Sequence, residues 1–281
     1  MPKAGAGSPA LDAGQQEQAA SHAAPQALVI HEIVREEGEA ELKRRPAALA
    51  WSGLAAGLSM GFSFLVLALF RMGLPDAPWR PLVASLGYSV GFVIVILGRQ
   101  QLFTESTLTA ILPVLTRRDG RTLLATLRLW AIVLATNLGG TILFAAVVSR
   151  PGIFRPELFR ALEELAQETI DGTFWPVLVK SVFAGWLIAL MVWLLPSAHS
   201  ARLFVIVILT YVVSLAGLSH IVAGSSEAAF AVFTGHASVS DYILRFVVPT
   251  LIGNTVGGVS LVALLNHAPL APEMQEASDS E

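Results

Sequence analysis

The sequence contains no cysteine, which excludes disulfides, thiolate nucleophiles and cysteine-held metal and leaves the redox compartment unmarked. Charge is scarce as well. Only 14% of the 281 residues are Asp, Glu, Lys or Arg, with a net charge of −3, where a soluble domain carries about a quarter. No basic stripe runs along the chain, so no nucleic-acid interface is expected. It has no H-E-x-x-H and no paired aspartates within an apolar run, so neither a metal site nor a cofactor is expected. The N-terminus lacks the charged-then-apolar-then-small pattern, so a cleaved signal peptide is not expected and the first span is expected to direct insertion. What is plentiful is apolar residue, 54% of the chain with mean hydropathy +0.65. The reading is an all-α integral membrane protein.

One stretch organises the rest, Leu215-Ala-Gly-Leu-Ser-His220-Ile-Val-Ala-Gly-Ser-Ser-Glu227. It sits inside an apolar run from Arg202 to Thr234, about 33 residues where about 20 suffice to cross a bilayer. Such a run is kinked or broken. Backbone leaves a helix at membrane depth only where protein buries it or water bathes it, and an ionisable residue there marks a functional site by default. Two half-helices are therefore expected, meeting beside His220.

In chain order, residues 1–26 are mostly Ala, Gly, Ser, Gln and Pro, a composition expected to stay disordered. Residues 27–46 predict an amphipathic helix with Leu28, Val29, Ile33 and Val34 on one side, lying on a membrane surface or simply solvated. Residues 47–267 read as six spans. Span 1 covers Ala47 to Phe70; span 2 runs from Pro81 to Leu115 and is interrupted around Arg99–Thr107; span 3 covers Leu123 to Val148. An acidic amphipathic helix follows over Arg150–Gly172, then span 4 from Phe174 to Leu195, the broken span 5, and span 6 from Tyr242 to Leu265. Residues 268–281 are expected to be a disordered tail. Lys43, Arg44 and Arg45 precede span 1, and Arg117, Arg118 and Arg121 follow span 2. The positive-inside rule makes that face cytoplasmic, with both termini on it, and fits an inner (plasma) membrane protein of a bacterium. Trp51, Trp79, Trp175 and Trp193 near span ends fit interface anchoring.

The two halves repeat. Span 1 carries Ala56-Gly57 with Gly61, and span 4 carries Ala184-Gly185 with Ala189. Span 3 has Asn137-Leu-Gly-Gly140, and span 6 has Asn254-Thr-Val-Gly-Gly258. Spans 2 and 5 are both overlong and interrupted, and each interruption is followed by a carboxylate, Glu105 or Glu227. Three spans repeated once must be inverted, and inverted repeats with broken helices near the midplane are a common way to build a transport path.

The same motifs resemble those of the formate/nitrite transporter family. Gln101-Leu-Phe-Thr104 is similar to its span 2 break (E/D)-L-F-T, and Gly217-Leu-Ser-His220-Ile-Val-Ala to its span 5 break G-F-E-H-S-I-A-N. Lys180-Ser-Val-Phe-Ala-Gly-Trp-Leu resembles its span 4 (R/K)-G-I-L-A-N-W-L, and Gly253-Asn-Thr-Val-Gly-Gly258 its span 6 G-N-x-x-G-G. The resemblance implies an aquaporin-like homopentamer with a pore in each protomer for formate, nitrite or a similar small monovalent anion. It implies that His220 is the pore histidine, that Thr104 is its partner, and that Phe103, beside Leu102, forms part of a constriction. By position Tyr88, Phe92 and Val213 fall among the apolar constriction residues. The chain departs from the pattern at Ser219, Gly224 and Gly185, where the family has an acid and two asparagines, and in carrying Glu105 and Glu227.

Histidine titrates near neutrality, and a bare anion is costly to desolvate between apolar constrictions. His220 is thus a candidate proton donor that lets a weak acid cross as the neutral species, with Thr104 donating a hydrogen bond. Glu105 and Glu227 either cap half-helix N-termini or put negative charge in the pore, in which case protonation or pairing with His220 or Arg99 is expected. Lys180 either attracts anions in a vestibule or snorkels. Asn137 and Asn254 either hold the broken backbone or line the path. Two alternatives remain. One is a scaffold or sensor of the same fold that is inactive in transport or passes neutral or cationic solutes. The other is an intramembrane serine protease suggested by Gly224-Ser-Ser-Glu227, although the last span offers only His267 as a base.

Overall fold

The computed structural model describes residues 8–22 and 25–270. Described elements are helical throughout. Large apolar side chains such as Trp51, Leu124, Trp175 and Phe204 point outward, while Thr104, Asn137, Thr141, Thr210, His220 and Asn254 are buried. Lipid supplies no hydrogen bonds, so polar groups turn inward where protein partners satisfy them.

The chain begins with α1 (Ala13–His22), a ten-residue helix inside the segment expected to be disordered. Its start is held reciprocally: Gln15 N–H donates to Asp12 Oδ1 at 2.8 Å, and Asp12 N–H to Gln15 Oε1 at 3.1 Å. That capping, with alanine-rich composition, favours local helix where no core is available. Of the tail expected to be disordered over 268–281, residues 268–270 form a turn that buries Leu270 in the cluster with Val34, and residues 271–281 lie outside the described residues. α2 (Ala27–Leu42) forms where the amphipathic helix is expected, with Val29 and Ile33 exposed. It is docked on protein through buried His31, Val34 and Gly38.

α3 (Pro46–Gly73) is span 1. Span 2 comprises α4 (Arg80–Ala84), a 3-10 turn over Ser85–Tyr88, α5 (Ser89–Leu97), a break, α6 (Phe103–Thr109) and α7 (Ile111–Arg117). α8 (Gly120–Val148) is span 3, and its first turn is capped by Asp119, which accepts from Thr122 N–H. α9 (Pro156–Ile170) is the acidic amphipathic helix, held to the end of span 1 by a bidentate Arg71–Glu168 pair at 2.6 and 2.8 Å. α10 (Phe174–Ala198) is span 4; the chain reverses at His199, φ 40°, into α11 (Arg202–Leu215), a second break, and α12 (Ala223–Phe233). Span 6 comprises α13 (Val239–Asp241), a π-helical stretch over Tyr242–Val247, α14 (Val248–Val256), another π-helical stretch over Gly257–Leu264, and α15 (Leu265–His267).

Span 1 crosses span 3, and span 4 crosses span 6, at matched glycines. A Cβ on Gly57 would lie 2.1 Å from the Asn137 carbonyl oxygen, and one on Gly185 would lie 2.3 Å from that of Asn254. Backbones this close require the missing side chain. Gly185 is therefore the counterpart of Gly57, which accounts for its presence where the resembled family carries asparagine.

Candidate functional site

Both breaks are built by the same turn. In span 2 the N–H of Gln100 donates to Val95 O at 3.0 Å and that of Arg99 to Ile96 O at 3.2 Å, with Arg99 left-handed at φ 53°. In span 5 the N–H of Leu218 donates to Val213 O at 2.9 Å and that of Gly217 to Ser214 O at 3.0 Å, with Gly217 at φ 58°. These are two Schellman closures of helix C-termini, at one constant offset in the sequence.

Each break is then held open by one asparagine. Asn137 Oδ1 accepts from Phe103 N–H at 2.9 Å, and its Nδ2 donates to Gln101 O at 2.9 Å and Gly53 O at 2.8 Å. Asn254 Oδ1 accepts from Ile221 N–H at 2.8 Å, and its Nδ2 donates to Ser219 O at 3.0 Å and Ser181 O at 2.8 Å. At each break, two groups without helical partners, one N–H and one carbonyl, are thereby satisfied at membrane depth, and the third bond ties the asparagine to a carbonyl inside α3 or α10. Both asparagines are fully buried and line neither cavity described below. Both asparagines hold the backbone of the breaks. The match also shows which residues are equivalent: Gln101 with Ser219, Leu102 with His220, Phe103 with Ile221.

The breaks meet at His220. Its Nδ1 accepts from Ala223 N–H at 3.2 Å, so the proton of the neutral ring sits on Nε2, which faces Thr104 Oγ1 at 2.8 Å. The hydrogen bond therefore runs from His220 to Thr104 and leaves the Thr104 hydroxyl hydrogen free to donate elsewhere. Phe92 lies edge-on to the imidazole at 5.0 Å between ring centres, and Tyr88 is 5.4 Å beyond it. Phe103 packs edge-on to Trp130 at 6.1 Å.

Two cavities flank this centre. The one on the α9 side, about 380 Å³, is lined by Tyr88, Lys180, Ser219, His220, Gly224 and Glu227 among others. The one on the α2 side, about 390 Å³, is lined by residues that include Glu37, Glu41, Gln101 and Glu105. They share no lining residue, and Phe92, Leu102, Phe103, Thr104 and Val213 are buried between them and line neither. Gly224 keeps room beside the imidazole's half-helix, since a Cβ there would meet the Phe246 ring at 2.7 Å.

The two glutamates are not equivalent, contrary to the repeat drawn from sequence. Glu105 is the third residue of α6, in its first turn, and faces the α2-side cavity. Glu227 is the fifth residue of α12, too far in to cap it; its carboxylate accepts from the Thr169 hydroxyl of α9 and lines the other cavity. Among the described residues neither is ion-paired with His220 or Arg99. Arg99 is bonded to Glu37 at 3.2 Å instead. Lys180 is exposed and lines the α9-side cavity.

The sequence reading missed Glu41, whose carboxylate accepts from Thr109 Oγ1 at 2.6 Å and Gln101 Nε2 at 2.9 Å. Burial of this carboxyl pushes its pKa up, against the two hydrogen bonds that lower it. In the sequence Glu41 is only the last of five glutamates in an amphipathic helix, with nothing to set it apart. The protease-like serines are already engaged: Ser226 donates to Ala223 O at 2.6 Å, and Ser225 is bonded to Tyr242 at 2.5 Å.

A sequence profile described as formate/nitrite transporter matches residues 28–268. The chain belongs to the formate/nitrite transporter family. It is 40% identical over 255 residues to inner membrane protein YfdC of Escherichia coli strain K12, covering 91% of this chain and 82% of that one. Formate channel BtFdhC of Bacillus thuringiensis is 26% identical over 250 residues, covering 85% and 93%. A solved pentameric formate channel with formate bound superposes with a TM-score of 0.67 at 20% identity, covering 84% of this chain and 99% of that one. A family ion-channel structure gives 0.68 at 21% identity, covering 86% and 96%. At those identities the likeness carries the fold. The chain is thus an all-helical integral membrane protein of a transporter family, and the protease alternative ends here.

Proposed function

We propose that each protomer conducts a small monovalent anion of the formate or nitrite kind, or its conjugate acid, between the two cavities, with His220 as a pH-sensitive proton donor. The observation that carries this reading is the Thr104–His220 hydrogen bond, which joins the two broken helices at the wall of the α9-side cavity.

The chemistry follows from what each group can exchange. The anion loses hydration as it approaches the apolar segment formed by Phe92, Leu102, Phe103 and Val213, a step too costly for a bare charge. The Thr104 hydroxyl offers it a hydrogen bond. Protonation of His220 must occur at Nδ1, where the ring now accepts from Ala223 N–H. The charged ring therefore loses that bond and gives its proton away readily to a weak-acid anion, which passes as the neutral species. The α9-side cavity supplies the proton, because His220 lines it. Lys180 on the same wall attracts anions toward it.

The relatives' names support a homopentamer in a bacterial inner membrane; the placing of Lys43, Arg44, Arg45, Arg117, Arg118 and Arg121 argues for both termini cytoplasmic, and each protomer carries its own pathway. On that assignment the α2-side cavity faces the cytoplasm, and α9 covers the outer mouth. The test is flux through purified protein in liposomes for formate, nitrite, hydrosulfide, acetate, lactate and ammonium. Uptake of one or more anions that rises on acidification supports the reading; no flux for any solute ends it and leaves a scaffold or sensor of this fold.

A further inference from the structure

The α2-side cavity has an inventory of hydrogen-bonding groups that suits donors. Gln101 is 6% exposed and fixed on every side but one. Its N–H donates to Ser52 Oγ at 3.0 Å, its carbonyl accepts from Asn137, and its Nε2 donates to Glu41 Oε1 at 2.9 Å. That last bond fixes the amide orientation, since a flipped amide would set its oxygen against the Glu41 oxygen, acceptor on acceptor. Gln101 Oε1 is then left buried with no hydrogen-bond partner among the described residues, and so is Oε1 of its neighbour Gln100. Both residues line the cavity, alongside the Glu105 carboxylate. A buried acceptor without a donor costs roughly 1–3 kcal/mol, and three acceptors at one wall are matched by a ligand that brings donors.

The donors nearby are already committed. Gln101 Nε2 and Thr109 Oγ1 both serve Glu41. The guanidinium of Arg99 is exposed and bonded to Glu37. Arg202, also exposed, and half-buried Arg44 remain at the rim. Anions are thus attracted to the mouth, while the deeper wall accepts.

We propose that this wall is a binding subsite for a small hydrogen-bond-donating solute, either an ammonium-type cation or an undissociated acid, received by Gln100 Oε1, Gln101 Oε1 and the Glu105 carboxylate. Glu41 is a positioning residue that holds the Gln101 amide in its receiving orientation. The subsite's place in transport rests on the pathway proposed above; the binding itself does not.

The experiment uses the full chain in detergent and in liposomes, with methylammonium chloride and with sodium formate at neutral and acidic pH as probes. A ligand of the native state raises its melting temperature. The wild type is expected to be stabilised by methylammonium, or by formate only at acidic pH, and these two outcomes separate the cation from the undissociated acid. Gln101→Met and Gln100→Met each remove one acceptor and are expected to weaken that stabilisation about five- to tenfold in apparent affinity. Gln100→Met removes a side-chain oxygen bonded to nothing in the fold, so it keeps the test valid if Gln101→Met fails to fold. Equal stabilisation of wild type and both variants, or none of the wild type by either probe, overturns the subsite. Stabilisation without any flux in liposomes leaves the subsite standing and removes the transport reading. Histidine-dependent flux with no stabilisation does the reverse.

Discussion

His220 illustrates how a single ring is committed by its two neighbours. Ala223 N–H occupies Nδ1 and Thr104 occupies Nε2, so the neutral tautomer is specified and the charged one must displace a bond. His220→Asn keeps a polar side chain but cannot titrate, and the pH dependence of flux is expected to disappear from stopped-flow uptake. An unchanged pH profile would refute the proton-donor role. The glutamates make a second residue-scale case. If Glu105 and Glu227 oppose anions in the two cavities, the double replacement Glu105→Gln with Glu227→Gln is expected to raise formate or nitrite flux severalfold. Flux that stays level would instead reduce them to local roles, Glu105 at the start of α6 and Glu227 as the acceptor of Thr169.

At the scale of an element, the breaks decide the fold. Each needs one left-handed residue and one asparagine. Gly217→Ala places a Cβ at φ 58° and is expected to cost roughly 1 kcal/mol, seen as a lower melting temperature in detergent. Asn254→Leu strands Ile221 N–H and the Ser219 carbonyl together and removes a second donor from the helical Ser181 carbonyl, and is expected to cost at least about 2 kcal/mol. A loss under about 1 kcal/mol would contradict the clamp. α2 is docked with similar stringency. A Cβ on Gly38 would lie 1.9 Å from the Thr109 carbonyl oxygen, so Gly38→Val is expected to lift the helix from α6. Limited proteolysis should then cut between Ala27 and Lys43 many times faster than in the wild type, and equal rates would argue against tight docking.

For the whole molecule, the placing of polar groups is the governing fact: large apolar side chains face outward, while hydroxyls and amides lie inside among apolar residues, most of them answered by another polar group. The proposed pentamer is expected as a single assembly of five chains in native mass spectrometry from mild detergent, and a monomer under those conditions would dispose of it. Much of this molecule was legible beforehand. Run lengths gave six spans because bilayer thickness leaves few choices, and the interrupted runs marked both breaks. The matched Asn and Gly spacing pointed to two halves. Other features were not legible. The equivalence drawn between Glu105 and Glu227 failed because position after a break says nothing about helical register. The hold of Asn137 and Asn254 on the broken backbone emerged only when their carbonyl partners, far apart in sequence, were seen together.

By itself the sequence determined the membrane class, the doubling of a three-helix unit, and which short motifs would meet at depth. Those follow from hydropathy and length, which are properties of segments. Only the tertiary structure decided which way the His220–Thr104 hydrogen bond runs, that α2 lies against α6 and places Glu41 beside Gln101, and that each carboxylate faces a different cavity. Those depend on directions in space between residues up to a hundred or more positions apart, and no local pattern encodes them.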